Sequence, residues 1–560
     1  MQLNPGSTPP DEPARSSALR AGVFGLVLAG IGFVVGYLLR PPPEPQPVDE
    51  AAVALTNVWL KATHASGGVT NSTEYRRGAA VARTVCVTCH LFPEPDELDK
   101  VSWGLEVLPR MVHWVGGLPY DFANHPGGAL VREAGVFPAS PLIPVQDWKA
   151  VCVYYLEAAP SSLPPPAFPP RIQTGLKRFR AVTPGYRRDT PMTTLVKIAG
   201  QKLYVGDAGT KTLERLNAAG QPEISLAMGG APVSLTMGAG GWHVALLGEF
   251  FGSDEPNSKV LWLEPPKSGG SRTRTLVDQA PRTTDTVVAD LDGDGKQDLV
   301  VSHFGNILGR FSWYRNAGEN AYEERVLLNR PGAVRSYVRD FNGDGRSDIM
   351  VLMAQAWEGV WLFLNQGGGQ FEETVVLKAS PAWGFTDFEL ADFNGDGFVD
   401  IIAANGDSGD NIKVPPTPKP YHGIRIYLND GKSGFAEAYF HPMNGAYKVL
   451  ARDYDEDGDL DVAAVSFYPD YERTPQESFL YLENVSERGK GAVLRFQTFT
   501  IPEGVNSRWV TADAGDLDGD GDIDLVLGAF QQGFSPVPEA IAEGWKKNGQ
   551  ALLILVNEGK

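Results

Sequence analysis

Three regimes of hydrophobic and polar patterning divide the chain. Residues 21–39, AGVFGLVLAGIGFVVGYLL, are one uncharged apolar run. As a helix rising ~1.5 Å per residue it spans about 28 Å, close to the hydrocarbon thickness of a bilayer. From 51 to 160 the apolar spacing is helical. DKVSWGLEVLPRMVHWVGG puts Trp103, Val107, Met111 and Val115 on one face. PVQDWKAVCVYYLEAAP does the same for Trp148, Val151, Cys152 and Tyr155, with Asp147 placed to cap that helix and Cys152 read as a buried small hydrophobe. SSLPPPAFPP then breaks all periodicity and opens a linker over 161–177. From 178 to 560 the pattern becomes short apolar strands separated by turns.

Within that last region an acidic loop recurs five times. It runs Asp, apolar or aromatic, Asp/Asn, Gly/Glu, Asp, Gly, two variable residues and Asp, followed by an apolar strand. The copies begin at Asp290, Asp340, Asp392, Asp453 and Asp516, spaced 50, 52, 61 and 63 residues apart. A second motif trails each copy: FSWYRNAG, VWLFLNQG, IRIYLNDG, FLYLENV and LLILVNEG. Each unit thus offers a strand before the loop, one after it, one ending near Asn and a fourth in the variable tract. Four antiparallel strands at this period predict propeller blades. Residues 185–280 hold two degenerate units without the loop, giving seven blades, with a strand near 178–198 closing the ring. The expected fold is therefore mainly β: a seven-bladed β-propeller over 178–560, preceded by a small all-α domain at 51–160 and one N-terminal transmembrane helix.

The loop chemistry points to a hard cation. Side chains at positions 1, 3, 5 and 9 and a carbonyl at 7 offer about five or six oxygens, and Gly at position 6 permits the bend. The candidate ligands are Asp290, Asp292, Asp294 and Asp298; Asp340, Asn342, Asp344 and Asp348; Asp392, Asn394, Asp396 and Asp400; Asp453, Asp455, Asp457 and Asp461; and Asp516, Asp518, Asp520 and Asp524. The pattern predicts up to five Ca2+ ions. It resembles the FG-GAP/VCBS repeats of integrin-like propellers. No Glu stands at position 12, so coordination is less complete than in a calcium-hand loop.

Chemistry of another kind precedes the linker. YRRGAAVARTVCVTCH carries Cys86, Cys89 and His90 as C-x-x-C-H, after a stretch from Gly78 to Arg83 that reads as the end of a helix. Two thiols on one helical turn suit the two vinyl groups of a haem, and the adjacent His suits the iron. A zinc site needs about four ligands, and the third cysteine, Cys152, is far along the chain. The segment resembles the c-type cytochrome family, which implies covalent haem c and ligation outside the cytoplasm. Met111 is the first candidate for a sixth ligand; His113, His125 and an open iron remain alternatives.

Charge changes the picture in two ways. Lys+Arg total 49 against Asp+Glu 68, a formal net charge of -19, which disfavours nucleic acid as a partner. Of those acids, 21 lie inside the five loops, so five calcium ions would bring -19 to -9. Around the apolar run, Arg15 and Arg20 lie before it, while Arg40 and then Glu44, Asp49 and Glu50 follow. With no small-residue cleavage site directly behind it, the run predicts a retained signal anchor, a cleaved signal peptide being the alternative. Residues 1–20 then stay cytoplasmic and the body is periplasmic, anchored to the cell membrane by a single pass. Residues 40–50 form a stiff proline-rich tether.

The turns between second and third strands are long and share one face, opposite the acidic loops. Phe250, Phe251, Phe304, Trp357, Tyr468, Tyr471, Phe530 and Trp545 are expected to line it as a binding face for a partner protein or a polysaccharide. The leading expectation is a membrane-anchored monohaem electron-transfer protein that meets a redox partner protein, with the propeller as docking module. The alternative is an oxidoreductase whose propeller holds the substrate and passes electrons to the haem. No catalytic triad, dinucleotide glycine loop or His-rich metal site is evident, and His303 and His422 are isolated.

Overall fold

Each repeat folds as one sheet, and seven sheets follow one another in the computed structural model. The structure describes residues 72–165 and 171–559, apart from 239, 266–270, 319–320, 410–416, 488–492 and 534. The expected span at 21–39 lies outside the described residues. Among the described residues no helix is long and apolar enough to cross a membrane.

The strands of the fourth blade illustrate the unit: Ala333–Arg339, Asp348–Met353, Gly359–Gly367 and Gln370–Lys378, antiparallel and in sequence order. The second strands of the five acidic units, DLVVSH, DIMVLM, DIIAAN, DVAAVS and DLVLGA, are buried at every position. They read as continuous apolar runs because sheets pack on both of their faces. Fourth strands lie at the rim and keep exposed polar positions, as in Gln370–Lys378. The first two blades, from Thr193 and from Pro232, lack the acidic loop and turn tightly instead.

Ring closure is as the repeat arithmetic requires. Phe179–Val182 pairs antiparallel with Leu552–Asn557, so the strand after the linker becomes the outermost strand of the last blade and covers its edge. One feature was not legible: Ile172–Thr174, inside the expected linker, adds parallel to Phe496–Thr500 as a fifth strand of the sixth blade.

Residues 72–165 are helical. Helix α1 (Thr73–Val85) is capped by Ser72, whose Oγ accepts from Tyr75 N. A helical run from Lys100 carries a π-turn over Trp103–Val107 and ends in α2 (Leu108–Trp114). Helix α3 (Gly128–Ala134) and helix α4 (Val145–Ala158) complete the set. The wide turn inserts one residue into the helical phase. The fully buried positions are therefore Trp103, Leu108 and Val112, rather than an unbroken Trp103–Val107–Met111–Val115 stripe. Asp147 does not cap α4, whose N-cap is Pro144; its carboxylate accepts from Arg77 Nε at 2.5 Å. Helices α1 and α4 cross at Gly78, where an added Cβ would lie 1.9 Å from the Ala150 carbonyl oxygen. Only glycine permits that approach.

The helical segment packs on the propeller face from which the second-to-third turns emerge. Tyr421 OH donates to Glu97 O at 2.7 Å, Ser380 Oγ donates to Glu97 Oε2 at 2.6 Å, and Ala382 joins the helical core. Gly127 has φ +82 and an added Cβ would lie 2.4 Å from the Asp254 carbonyl carbon, so this contact also requires glycine.

Candidate functional site

The C-x-x-C-H segment begins where α1 ends: Cys86–Thr88 form a 3-10 turn continuing the helix. Cys86 is half-buried and Cys89 exposed, and both are free thiols. Burial raises the pKa of Cys86. His90 places Nδ1 2.7 Å from Leu91 O, an arrangement that fixes Nδ1 as donor and leaves Nε2 as the available ring nitrogen. Burial holds its pKa below the usual imidazole value, which favours the neutral ring a metal requires. The segment is braced by Phe92 stacked on Tyr155, Tyr155 against Trp103 with centroids 4.2 Å apart, and Tyr155 OH donating to Pro93 O.

Met111 is half-buried and packs against the same core as Cys86. The alternative donors are engaged elsewhere. His113 is buried, edge-on to Tyr120, with Nδ1 3.3 Å from Leu118 O. His125 is buried with Nε2 2.7 Å from Asp254 Oδ2 and Nδ1 3.1 Å from Tyr120 OH. Around the motif, Val87 is 50% exposed and Leu91 45%, and Val101, Leu130, Leu142 and Val145 also stand exposed on this small segment.

All five acidic loops join the first and second strands of their blades. Position 1 builds the loop: Asp340 accepts from Gly343, Asp344 and Gly345 N–H, and these bonds hold its pKa low. Position 9 plays a part that the sequence did not reveal. Asp348 accepts from Phe341 N–H at the loop's start and from Asn365 N–H on the third strand. The same carboxylate bridge to the third-strand Asn recurs at Asp298–Asn316, Asp400–Asn429, Asp461–Asn484 and Asp524–Asn557. The Asn side chain returns a bond to the carbonyl of position 8, as Asn365 Nδ2 does to Ser347 O at 3.0 Å. It also reaches the preceding blade, since Asn365 Nδ2 donates to Leu291 O and Asn557 Nδ2 to Tyr454 O. The trailing Asn motif is thus the lock between loop, strand and neighbour.

As cation sites the loops are unequal. Ligand oxygens of Asp290, Asp292 and Asp294, of Asp453, Asp455 and Asp457, and of Asp516, Asp518 and Asp524 each lie within 4.8 Å of one another. In the first of these, Arg315 and Lys296 already pair with Asp292 and Asp294; in the fourth blade, Arg346 pairs with Asp344. Burial, reinforced by neighbouring carboxylates, pushes Asp455 and Asp518 upward, takes Asp461 to about 7 and, in the fifth blade, Asp400 to about 6.

The expected aromatic binding face needs correction. None of its eight side chains is fully exposed: Phe530 is 0% exposed, Tyr471 4% and Trp545 5%. Phe250 stacks on Phe530 at 4.1 Å, Tyr471 meets Trp545 edge-on at 5.4 Å, and Trp545 Nε1 donates to Val505 O. Trp545 lies on helix α5 (Glu539–Asn548), which folds that insertion back onto the propeller. Tyr471, Phe530 and Trp545 are packed inward, whereas Phe250, Phe251, Phe304, Trp357 and Tyr468 are half-buried.

Residues 340–403 match the FG-GAP-like repeat family. No curated protein matches. Among solved structures, the chain is similar to the N-terminal domain of Nup159, at 9% identity over 70% of this chain and 98% of that one, TM-score 0.37. It is also similar to BBS1N from its complex with ARL6DN, at 12% identity over 69% and 98%, TM-score 0.38, and to the Dos1 propeller, at 8% over 66% and 79%, TM-score 0.39.

Proposed function

We propose that the protein is a membrane-anchored, extracytoplasmic monohaem c-type cytochrome that transfers electrons to or from a redox partner protein, fused to a calcium-stabilised propeller. One observation carries the haem reading. Cys86, Cys89 and His90 stand at the end of a helix locked across α4, with His90 Nε2 unpartnered among the described residues and apolar side chains exposed beside it. Exposed apolar surface of this kind favours a large flat apolar ligand over bare solvent. Haem bound there would supply one-electron chemistry. The chain's own part would be to fix it through the Cys86 and Cys89 thiols, to offer His90 Nε2 to the iron, and to offer the Met111 thioether as a further donor. The apolar wall would exclude water, and Met ligation would raise the potential.

The acidic loops support calcium as the propeller's ion, with the carboxylate clusters of the third, sixth and seventh blades as candidate sites. The anchor at 21–39 would hold the body on the periplasmic side. Denaturing electrophoresis with haem staining tests the central claim. Wild-type protein, expressed where haem ligation is available, should stain at its full mass, and Cys86→Ser/Cys89→Ser should not. An unstained wild type would refute the reading.

A further inference from the structure

The last blade hides a positive charge. Arg508, directly before the innermost strand Trp509–Gly515, is 1% exposed. Its Nη2 donates to Ser535 O at 2.9 Å, while Nε and Nη1 have no hydrogen-bond partner. No carboxylate among the described residues pairs with it. Phe467 and Trp545 flank the guanidinium with centroids 5.4 Å and 6.0 Å from Cζ, which orients the cation and leaves its charge uncancelled. An isolated buried charge is among the most costly features a fold can hold, so natural interiors pair it.

Two more polar groups at this spot lack partners. Tyr471 is buried and its OH makes no hydrogen bond of good geometry, with Arg508 and Ser478 near enough for only loose polar contact. Ser535 Oγ is buried and unpartnered as well. The Tyr471 ring is fixed by its contact with Trp545. Gly533 passes so close that an added Cβ would fall 1.6 Å from Arg508 Nη1. Gln532 and Gly533 are exposed, so the guanidinium lies just beneath the surface. One fixed cation thus lies beside Tyr471 and the Ser535 backbone, and Arg508 Nε and Nη1 and the two hydroxyls lack well-formed hydrogen bonds.

We infer that Arg508, Tyr471 and Ser535 form a binding site for a small carboxylate anion. A carboxylate brings one charge, which a single guanidinium neutralises, and two oxygens with several lone pairs, enough for Nε, Nη1 and both hydroxyls. A phosphate dianion would leave one charge unmatched, and a halide would offer no second atom for the hydroxyls. The apolar edges of Phe467 and Trp545 suit the carbon side of such an acid.

The test uses the full chain in carboxylate-free buffer at constant ionic strength, with sodium acetate as the probe and sodium chloride as the control. Acetate should raise the melting temperature in a saturable way and give a measurable Kd by calorimetry, and chloride should not. Tyr471→Phe keeps the ring and removes the hydroxyl, so it should fold as wild type and weaken acetate about tenfold. Arg508→Gln should abolish binding. Three results would overturn the inference: no saturable response to acetate, equal affinity in wild type and Tyr471→Phe, or chloride competing as well as acetate.

Discussion

One carboxylate carries the most buried of the contacts between the helical segment and the propeller. Asp254, on the second-to-third turn of the second blade, is 1% exposed. It accepts from the backbone N–H groups of Asn306, Ile307 and Leu308 at 2.8–3.1 Å, and from His125 Nε2 at 2.7 Å. Asp254→Ala orphans three half-buried backbone donors and one buried imidazole. Breaking such a site costs about 3–5 kcal/mol. A propeller of about 390 residues melts with an entropy near 0.8 kcal/mol/K, so the expected fall in Tm is about 4–6 °C. His125→Phe keeps the ring packing and loses the bond to Asp254 together with the bond to Tyr120 OH inside the helical segment, at about 1.5–3 kcal/mol, or about 2–4 °C. Scanning calorimetry of both single variants and the double variant gives the coupling. The double variant should lose little more than Asp254→Ala alone. A fall below about 1 °C for Asp254→Ala, or strictly additive losses, would refute the argument that this bond joins the modules.

Three further outcomes follow. Chelation should lower the propeller's Tm and leave any haem spectrum unchanged, since a cation that binds only the folded loops stabilises by mass action; identical melts with and without chelator would remove the calcium reading. Asn365→Ala should cost about 2–3 kcal/mol in urea unfolding, because Asn365 links Ser347, Leu291 and Gly367, and Asn316→Ala should cost less, its amide reaching only Gln297 and Gly318. His303 is buried between Thr283 Oγ1 and Tyr314 OH, and burial lowers its pKa to about 3. Between that value and ~6.5 the unfolded chain binds the extra proton, so His303 alone makes stability fall as pH drops, by about 2.7 kcal/mol at pH 4.5; His303→Gln should lessen the fall of the urea midpoint between pH 7.5 and 4.5 while His243, His422 and His441, also depressed by burial, keep part of it, and an unchanged slope would contradict this.

The propeller was legible because its repeat writes the same physical constraint five times. Second strands sandwiched between blades must be apolar at every position, and each begins with an Asp that no apolar strand would otherwise carry. The trailing Asn was visible as a pattern, but its purpose needed coordinates: the partner of Asn365 Nδ2 in the preceding blade, Leu291 O, is 74 residues away. Helical phase failed at one place for a definite reason. Periodicity of 3.6 assumes an unbroken ladder, and the π-turn at Trp103–Val107 shifts the buried face by one residue, which leaves Met111 half-buried beside it.

The aromatic turns failed for a different reason. An aromatic in a long turn reads the same whether it faces solvent, a partner or its own chain, and only tertiary contacts decide. Here Phe250, Phe467 and Phe530, drawn from the second, sixth and seventh blades, pack as one cluster with Met192 and Tyr447. Tyr421 and Ala382, in turns of the same face, join the core of the helical segment, and Asp254 binds His125. Clustered insertions on one face of a repeat protein do signal recognition, and the recognised surface includes residues 72–165 of the same chain. Those contacts account for the lengths of the turns, and within residues 72–165 they leave Val87 and Leu91 exposed beside the C-x-x-C-H segment.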